Sequence, residues 1–282
     1  MTESTGDARA PLLPHSEGMV LPAPLVRDYR EATALIAGGT SGIGLASALA
    51  LAEAGVPRLV ILGRDPQRGE AACAHVTNGH PATDVFFIPT DATNARKVDE
   101  AVRTTVERFG SLDITVCSTA SLYRPELIHR MPAKDVVGTM VSMTQPPLLL
   151  THAAIAVMRS QGGGSIINIA SDAGKVATPG ESALGAAMAA IIMFSRVAAI
   201  EGKRDGVRVN VLTPSLVIGT ATSGHVLREG FSKRLFEKAS EQAHLGVAIP
   251  EDLASLVVFL AGPKAAKLTG QAISVNGGIS AA

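Results

Sequence analysis

An apolar run at 33–36 passes directly into Ala37-Gly38-Gly39-Thr40-Ser41-Gly42-Ile43-Gly44, and a helical pattern over 45–54 follows, closed by Gly55 and Pro57. This order constrains the fold more than any other feature of the chain. A strand that ends in glycines and opens a helix lets the backbone turn sharply. It also aims the free N–H groups and the positive dipole end of the helix at one point. A dinucleotide pyrophosphate needs that geometry. A glycine-rich loop alone is weak evidence, but a second apolar run at 58–62 supplies the next strand at βαβ spacing.

Apolar, β-rich runs recur at 33–37, 59–62, 85–88, 114–117, 165–169, 207–212 and 271–275, each separated by enough chain for a helix. The pattern predicts an α/β fold, a single-domain Rossmann-like doubly wound seven-stranded parallel sheet flanked by helices. Gly162-Gly163-Gly164 reads as a turn before the fifth strand, since no helix follows it directly. Without an internal repeat or a break in composition, 31–282 forms one domain behind a flexible N-terminal extension, 1–30. Ligands of such sheets bind at the carboxyl ends of the strands, so the loops after Ala37, Leu62, Ile88, Cys117, Ile169 and Leu212 should line the pocket.

The extension contains Pro, Ser and acidic residues and lacks both a basic leader and a sustained apolar run, so it reads as neither signal peptide nor membrane span. Its apolar patch 19–26 offers an alternative to disorder, an arm across a neighbouring subunit. Formal net charge is zero with acids and bases interspersed, which argues against nucleic acid or an anionic membrane as partner. Cys73 and Cys117 lack the spacing of a zinc or redox pair, which fits a reducing cytoplasm. His15, His75, His80, His129, His152, His225 and His244 are scattered, and no metal is expected.

Taken together, the glycine loop, Leu112-Asp113-Ile114, Ser165-Ile166-Ile167-Asn168-Ile169, Val207-Arg208-Val209-Asn210, Pro250-Glu251-Asp252-Leu253-Ala254 and Leu268-Thr269-Gly270-Gln271 resemble the short-chain dehydrogenase/reductase family over roughly 30–282. The resemblance implies a cofactor site on Gly38, Thr40, Ser41, Gly42, Ile43 and Gly44, with Asp91 at the position of the acid that contacts adenine. Gly63 stands where NAD-preferring members place a ribose-binding acid. Arg64 follows it in an arrangement that resembles a receiver of the 2′-phosphate, so NADP(H) is the favoured nucleotide; the alternative for Arg64 is a solvated loop residue. The Asn-Asn-Ala-Gly motif of the family reads Cys117-Ser118-Thr119-Ala120, which puts a side chain where a glycine admits the cofactor and weakens binding. Pro-Gly becomes Pro214-Ser215, and the threonine expected on the carboxamide falls on Gly219, with Thr220 one residue late.

The catalytic set departs further. The resemblance implies a tyrosine acid/base, a lysine four residues on, a substrate-orienting serine and an asparagine that positions water. Only the serine is retained, as Ser171; the tyrosine position is Leu184, the lysine position Met188, and the asparagine position lies near Met143. Tyr29 and Tyr123, the only tyrosines, are followed at the fourth residue by Thr33 and Leu127, so no Tyr-x-x-x-Lys exists elsewhere. Leu184 and Met188 share a helix face and place an apolar pair where a phenolate and an ammonium would meet. General acid–base catalysis is worth on the order of 10²–10⁴ in rate, so ordinary carbonyl reduction should be crippled. Asp172, Lys175 and Glu181 near Ser171 read as solvated loop charges, with Tyr123 following the fourth strand, and Ser171 fits strand-end hydrogen bonding as well as chemistry.

Three functions follow. The leading expectation is a non-catalytic subunit, a pseudoenzyme, that pairs with an active paralogous NAD(P)-dependent dehydrogenase, as in family heteromers acting on CoA thioesters. The long apolar helices near 136–159 and 182–201 would form the dimer or tetramer, homo- or hetero-oligomeric. The second is a lyase, dehydratase or isomerase on the same fold, with Asp172, Lys175 or Tyr123 as its titratable group. The third is a weak NADP(H)-dependent oxidoreductase with water or Ser171 as proton donor. The loop at about 219–243, which would close over a small-molecule ligand, carries no readable recognition pattern.

Overall fold

The computed structural model describes residues 26–121, 123–228 and 230–282. Seven strands alternate with helices: β1 Thr33–Ala37, α1 Gly42–Glu53, β2 Arg58–Gly63, α2 Pro66–Gly79, β3 Asp84–Pro89, α3 Ala95–Phe109, β4 Ile114–Cys117, α4 Ala133–Ser160, β5 Gly164–Ile169, α5 Ser182–Gly202, β6 Val207–Pro214, α6 Ala221–Val226, α7 Gly230–Gln242, α8 Pro250–Ala261 and β7 Ala272–Val275. The strands form one sheet in the order β3-β2-β1-β4-β5-β6-β7. Every neighbouring pair is parallel. The doubly wound seven-stranded architecture expected from the sequence is the one observed. Most of the apolar patch 19–26 and the bulk of the extension lie outside the described residues.

Central strands buried on both faces read as near-continuous apolar runs, and β1 and β4 are buried at every position, Thr33 and Thr115 included. On one face, Ile36, Leu59 and Ile61 pack with Leu51 of α1 and Val257 of α8; on the other, Leu35, Val60 and Ile166 meet Val102 of α3, Ala154 of α4 and Ala199 of α5. Helix α4 runs on through Pro146 and Pro147, both buried. Neither ring nitrogen can donate to the carbonyls of Ser142 and Met143, so packing against α5 and the sheet has to sustain the helix there. The stretch Ser182–Asp205, containing α5, is long and apolar enough to cross a bilayer, with an 18-residue window of mean hydropathy 1.9, yet 44 % of that window is buried within the fold. It packs on α4 and β6.

Several motifs quoted for the resemblance are architectural. Asp113 accepts from the Thr33 amide (2.9 Å), Ser111 Oγ (2.7 Å) and Arg27 Nε (2.6 Å). Arg208 donates to the carbonyls of Leu260, Ala261 and Ala265, satisfying the C-terminal end of α8. Asn210 bridges the Leu268 carbonyl and the Gln271 amide. Arg27 and Tyr29, on the extension side of the boundary read from sequence, are docked on the domain, the latter through its hydroxyl to Val258 O (2.7 Å).

Candidate nucleotide and acid–base cleft

The loop between β1 and α1 is built so tightly that glycine is a steric requirement. Gly38 adopts φ +77°, and a Cβ there would stand 2.7 Å from Ser118 O; a Cβ on Gly44 would stand 2.2 Å from Gly38 O. The loop therefore lies directly against the end of β4, pinned by Gly38 N–H to Leu62 O and Ser118 N–H to Ala37 O. Ser41, the residue before α1, makes no side-chain capping bond, so the first amides of α1 are left for an anion. Thr40, Ser41, Gly42 and Ile43 are all partly accessible around this cradle. The cradle fits a pyrophosphate.

At the adenosine edge, Asp91 accepts from the amide and hydroxyl of Thr93 at 3.0 and 2.8 Å. These bonds, assisted by the nearby charges of Arg64 and Lys97, hold its carboxyl below the usual carboxylate range. Arg64 is exposed. A Cβ on Gly63 would stand 2.7 Å from Thr40 Cγ2, so a side chain there would have to displace Thr40. At the opposite edge, Thr220 Oγ1 is consumed in capping α6, accepting from Ser223 N–H at 3.1 Å, while it also donates to Val217 O.

At the far end of the cleft, Met143, Leu184 and Met188 come together in one apolar cluster with Tyr123, Ala187, Ile191 and Met140. Helices α4 and α5 thus converge the three positions that the resemblance assigns to the asparagine, tyrosine and lysine, and they converge as packed side chains. Ser171 stands at the adjoining strand end, where its Oγ accepts from Ala173 N–H (3.2 Å) and caps a short 3-10 turn, Asp172–Gly174.

Residues 37–280 match the sequence model of the family described as enoyl-(acyl carrier protein) reductase. The chain is 33% identical over 248 residues to a 3-oxoacyl-[acyl-carrier-protein] reductase from Synechocystis sp., covering 87% of this chain and 96% of that one. The chain belongs to the short-chain dehydrogenase/reductase family. A D-beta-hydroxybutyrate dehydrogenase from Rhizobium meliloti is 30% identical over 256 residues, covering 88% of this chain and 98% of that protein. A short-chain type dehydrogenase/reductase from Mycobacterium ulcerans superposes with a TM-score of 0.82 at 26% identity, over 90% of this chain and 91% of that one.

Within this short-chain dehydrogenase/reductase fold, the charges beside Ser171 are not solvated, contrary to the reading from sequence. Asp172 is buried and accepts from Asn276 Nδ2 (2.8 Å), Ser274 Oγ (3.2 Å) and the Ser280 hydroxyl. Lys175 Nζ lies 3.7 Å from Asp172 and donates to Ser274 and to Ala282 O. Both ions are spent on fastening the segment after β7, and the lysine points to that segment.

Glu181, immediately before α5, is 8 % exposed. Burial pushes its carboxyl up to about 7 against a smaller opposing contribution from a Thr178 hydrogen bond. Tyr123 donates from Oη to Gly180 O at 2.6 Å, and burial, with the charges of Glu181 and Glu126, raises its hydroxyl to about 12. Cys117, buried beside Thr119, is raised to about 11 by burial and is an inert thiol at neutral pH. Among the described residues no three His, Cys, Asp or Glu side chains gather in a metal-binding group.

Glu181 is the group whose environment the sequence least revealed. Its burial depends on the Tyr123 segment, far away in the chain, and the only local signal is its position ahead of a long apolar helix.

Proposed function

We propose that this protein is a non-catalytic member of its family that pairs with an active NAD(P)-dependent dehydrogenase of the same fold, one acting on acyl thioesters. The observation that carries this reading is the packing of Met143, Leu184 and Met188 into one apolar cluster where proton transfer and ribose binding would take place. Neither a thioether nor an isobutyl group moves a proton or holds a ribose hydroxyl. Tyr123 is no substitute, because its hydroxyl is committed to Gly180 O and is held protonated well above neutrality.

The nucleotide half of the cleft is a different matter. Bound NADP(H) would supply hydride chemistry; the residues that would hold it are the glycine cradle for the pyrophosphate, Asp91 for the adenine and Arg64 for the 2′-phosphate. The intact cradle and the oxidoreductase names of the relatives support a second reading, a weak NADP(H)-dependent oxidoreductase.

The pairing surface in this reading is the outer side of α4 and α5. Val137 and Val141 on α4 and Met193, Val197 and Ile200 on α5 are exposed at helical spacing, and all five are apolar. The free thiols of Cys73 and Cys117 support a cytoplasmic setting. The test is a titration of the purified protein with NADPH and NADH by cofactor fluorescence, with native mass recorded on the same sample and after co-expression with an active family member. A mass equal to a mixed oligomer supports the pairing; a homo-oligomer that reduces 3-oxoacyl thioesters at an ordinary enzymatic rate refutes it.

A further inference from the structure

We propose that Glu181 is a proton-operated latch at the junction of α7 with the loop before α5: neutral, it lets α7 seat on that loop, and ionised, it loosens that contact. This inference goes beyond the proposed function and does not depend on it.

Three segments meet at Gly180. Its carbonyl accepts from Tyr123 Oη at 2.6 Å and from Glu126 N–H at 3.0 Å, both from the stretch after β4. Its φ of +87° and missing side chain let the ring of Phe231 on α7 lie against it; a Cβ there would stand 2.5 Å from Phe231 Cε1. The same stretch reaches the start of α7 as well, since a Cβ on Gly230 would stand 3.4 Å from Arg124 Nη2. Gly180 is therefore the point where α7 and the post-β4 segment are pinned together, and Tyr123 of that segment belongs to the cluster of Met143, Leu184 and Met188.

Glu181 is the next residue, and it is buried. The polar groups close to it are the Tyr123 hydroxyl from the post-β4 segment, which also feels the charge of Glu126, and Thr178 from its own loop. The contact of α7 at the junction is the aromatic Phe231. No cation among the described residues forms an ion pair with Glu181 within 4.0 Å. A neutral carboxyl is tolerated in such a place; a carboxylate is opposed by desolvation. Opening the junction hydrates Glu181 and returns it towards the ordinary carboxylate range. The closed form thus binds the proton more tightly than the open form, and rising pH favours opening. The carboxyl itself titrates near neutrality in the closed form, at about 7.

Hydrogen exchange across α7, corrected for the intrinsic pH dependence of exchange, tests the latch. Linkage makes the opening equilibrium climb by about tenfold per pH unit between the ordinary carboxylate value and the closed-form value, then level off. Protection of the wild-type α7 amides is expected to fall at least about tenfold between pH 5.5 and 7.5. E181Q, which keeps the shape and cannot ionise, is expected to hold the low-pH protection throughout. E181M serves the same purpose if the glutamine variant fails to fold. An unchanged wild-type profile over that range, or an equal fall in E181Q or E181M, overturns the proposal.

Discussion

A single methyl group tests the nucleotide cradle at Gly38. Alanine there is opposed twice, by a φ of +77° and by Ser118 O at 2.7 Å, an immovable backbone atom. G38A should cost about 2–4 kcal/mol in denaturant unfolding and remove NADPH binding, whereas alanine at Gly79, with open space around it, should leave both unchanged. Glu181 makes a second prediction, in stability against pH. Its carboxyl is raised in the folded protein, so the native state holds more protons than the unfolded chain between the unfolded value, near 4.5, and about 7. Stability should therefore decline as pH rises through that window and level off above it, by an amount on the order of 1–3 kcal/mol. E181Q should flatten this part of the profile in urea titrations at several pH values; an identical decline in the variant would count against the assignment. The glycines were legible from sequence because backbone geometry alone demands them. Glu181 was not, since it reads as one more loop charge until Tyr123 is folded over it.

At the level of elements, the turn after Ser171 holds a buried ion pair, Asp172 with Lys175, whose two members hydrogen-bond the end of β7 and the segment after it. Removing one partner strands the other, so D172A should cost on the order of 3–5 kcal/mol, and the double variant D172A/K175M distinctly less than the single change. Thermal or denaturant unfolding measures this, and equal costs for the two variants would show that the pair is not coupled. All seven strands were visible as apolar runs; β1 and β4 coincide with theirs, and the other five differ by a residue or two at their ends. The run at 207–212 continues to Pro214, because β6 gains a partner in β7 that pairs as far as Val275. Helix α4 begins at Ala133, ahead of the apolar pattern at 136, and persists over Pro146 and Pro147. Local propensity opposes a helix there; contact with α5 and the sheet overrides it. The clasp was hidden for a related reason. Asp172 and Lys175 look like an exposed loop until Ser274, Asn276 and Ser280 arrive from the end of the chain.

For the whole molecule, the apolar outer faces of α4 and α5 and the altered cleft point to an assembly in which this chain supports chemistry done elsewhere. Introducing charge at two of the exposed positions, V141D with V197D, should leave the fold intact by circular dichroism and lower the native mass to that of a monomer. An unchanged mass would move the interface to another face. The fold could be inferred from the alternation of apolar runs, and Leu184 and Met188 could be read at the positions where the resemblance implies tyrosine and lysine, but their convergence with Met143 into a packed cluster needed the crossing of α4 and α5. That cluster leads to the central claim, a nucleotide cradle without hydride-transfer machinery. The most direct measurement is NADPH oxidation by the purified wild-type protein with acetoacetyl-CoA as acceptor, followed at 340 nm under conditions where binding is monitored by fluorescence. The account predicts no oxidation above the protein-free rate, whether or not NADPH is bound. Turnover within the ordinary enzymatic range, about 1–10³ per second, would contradict it.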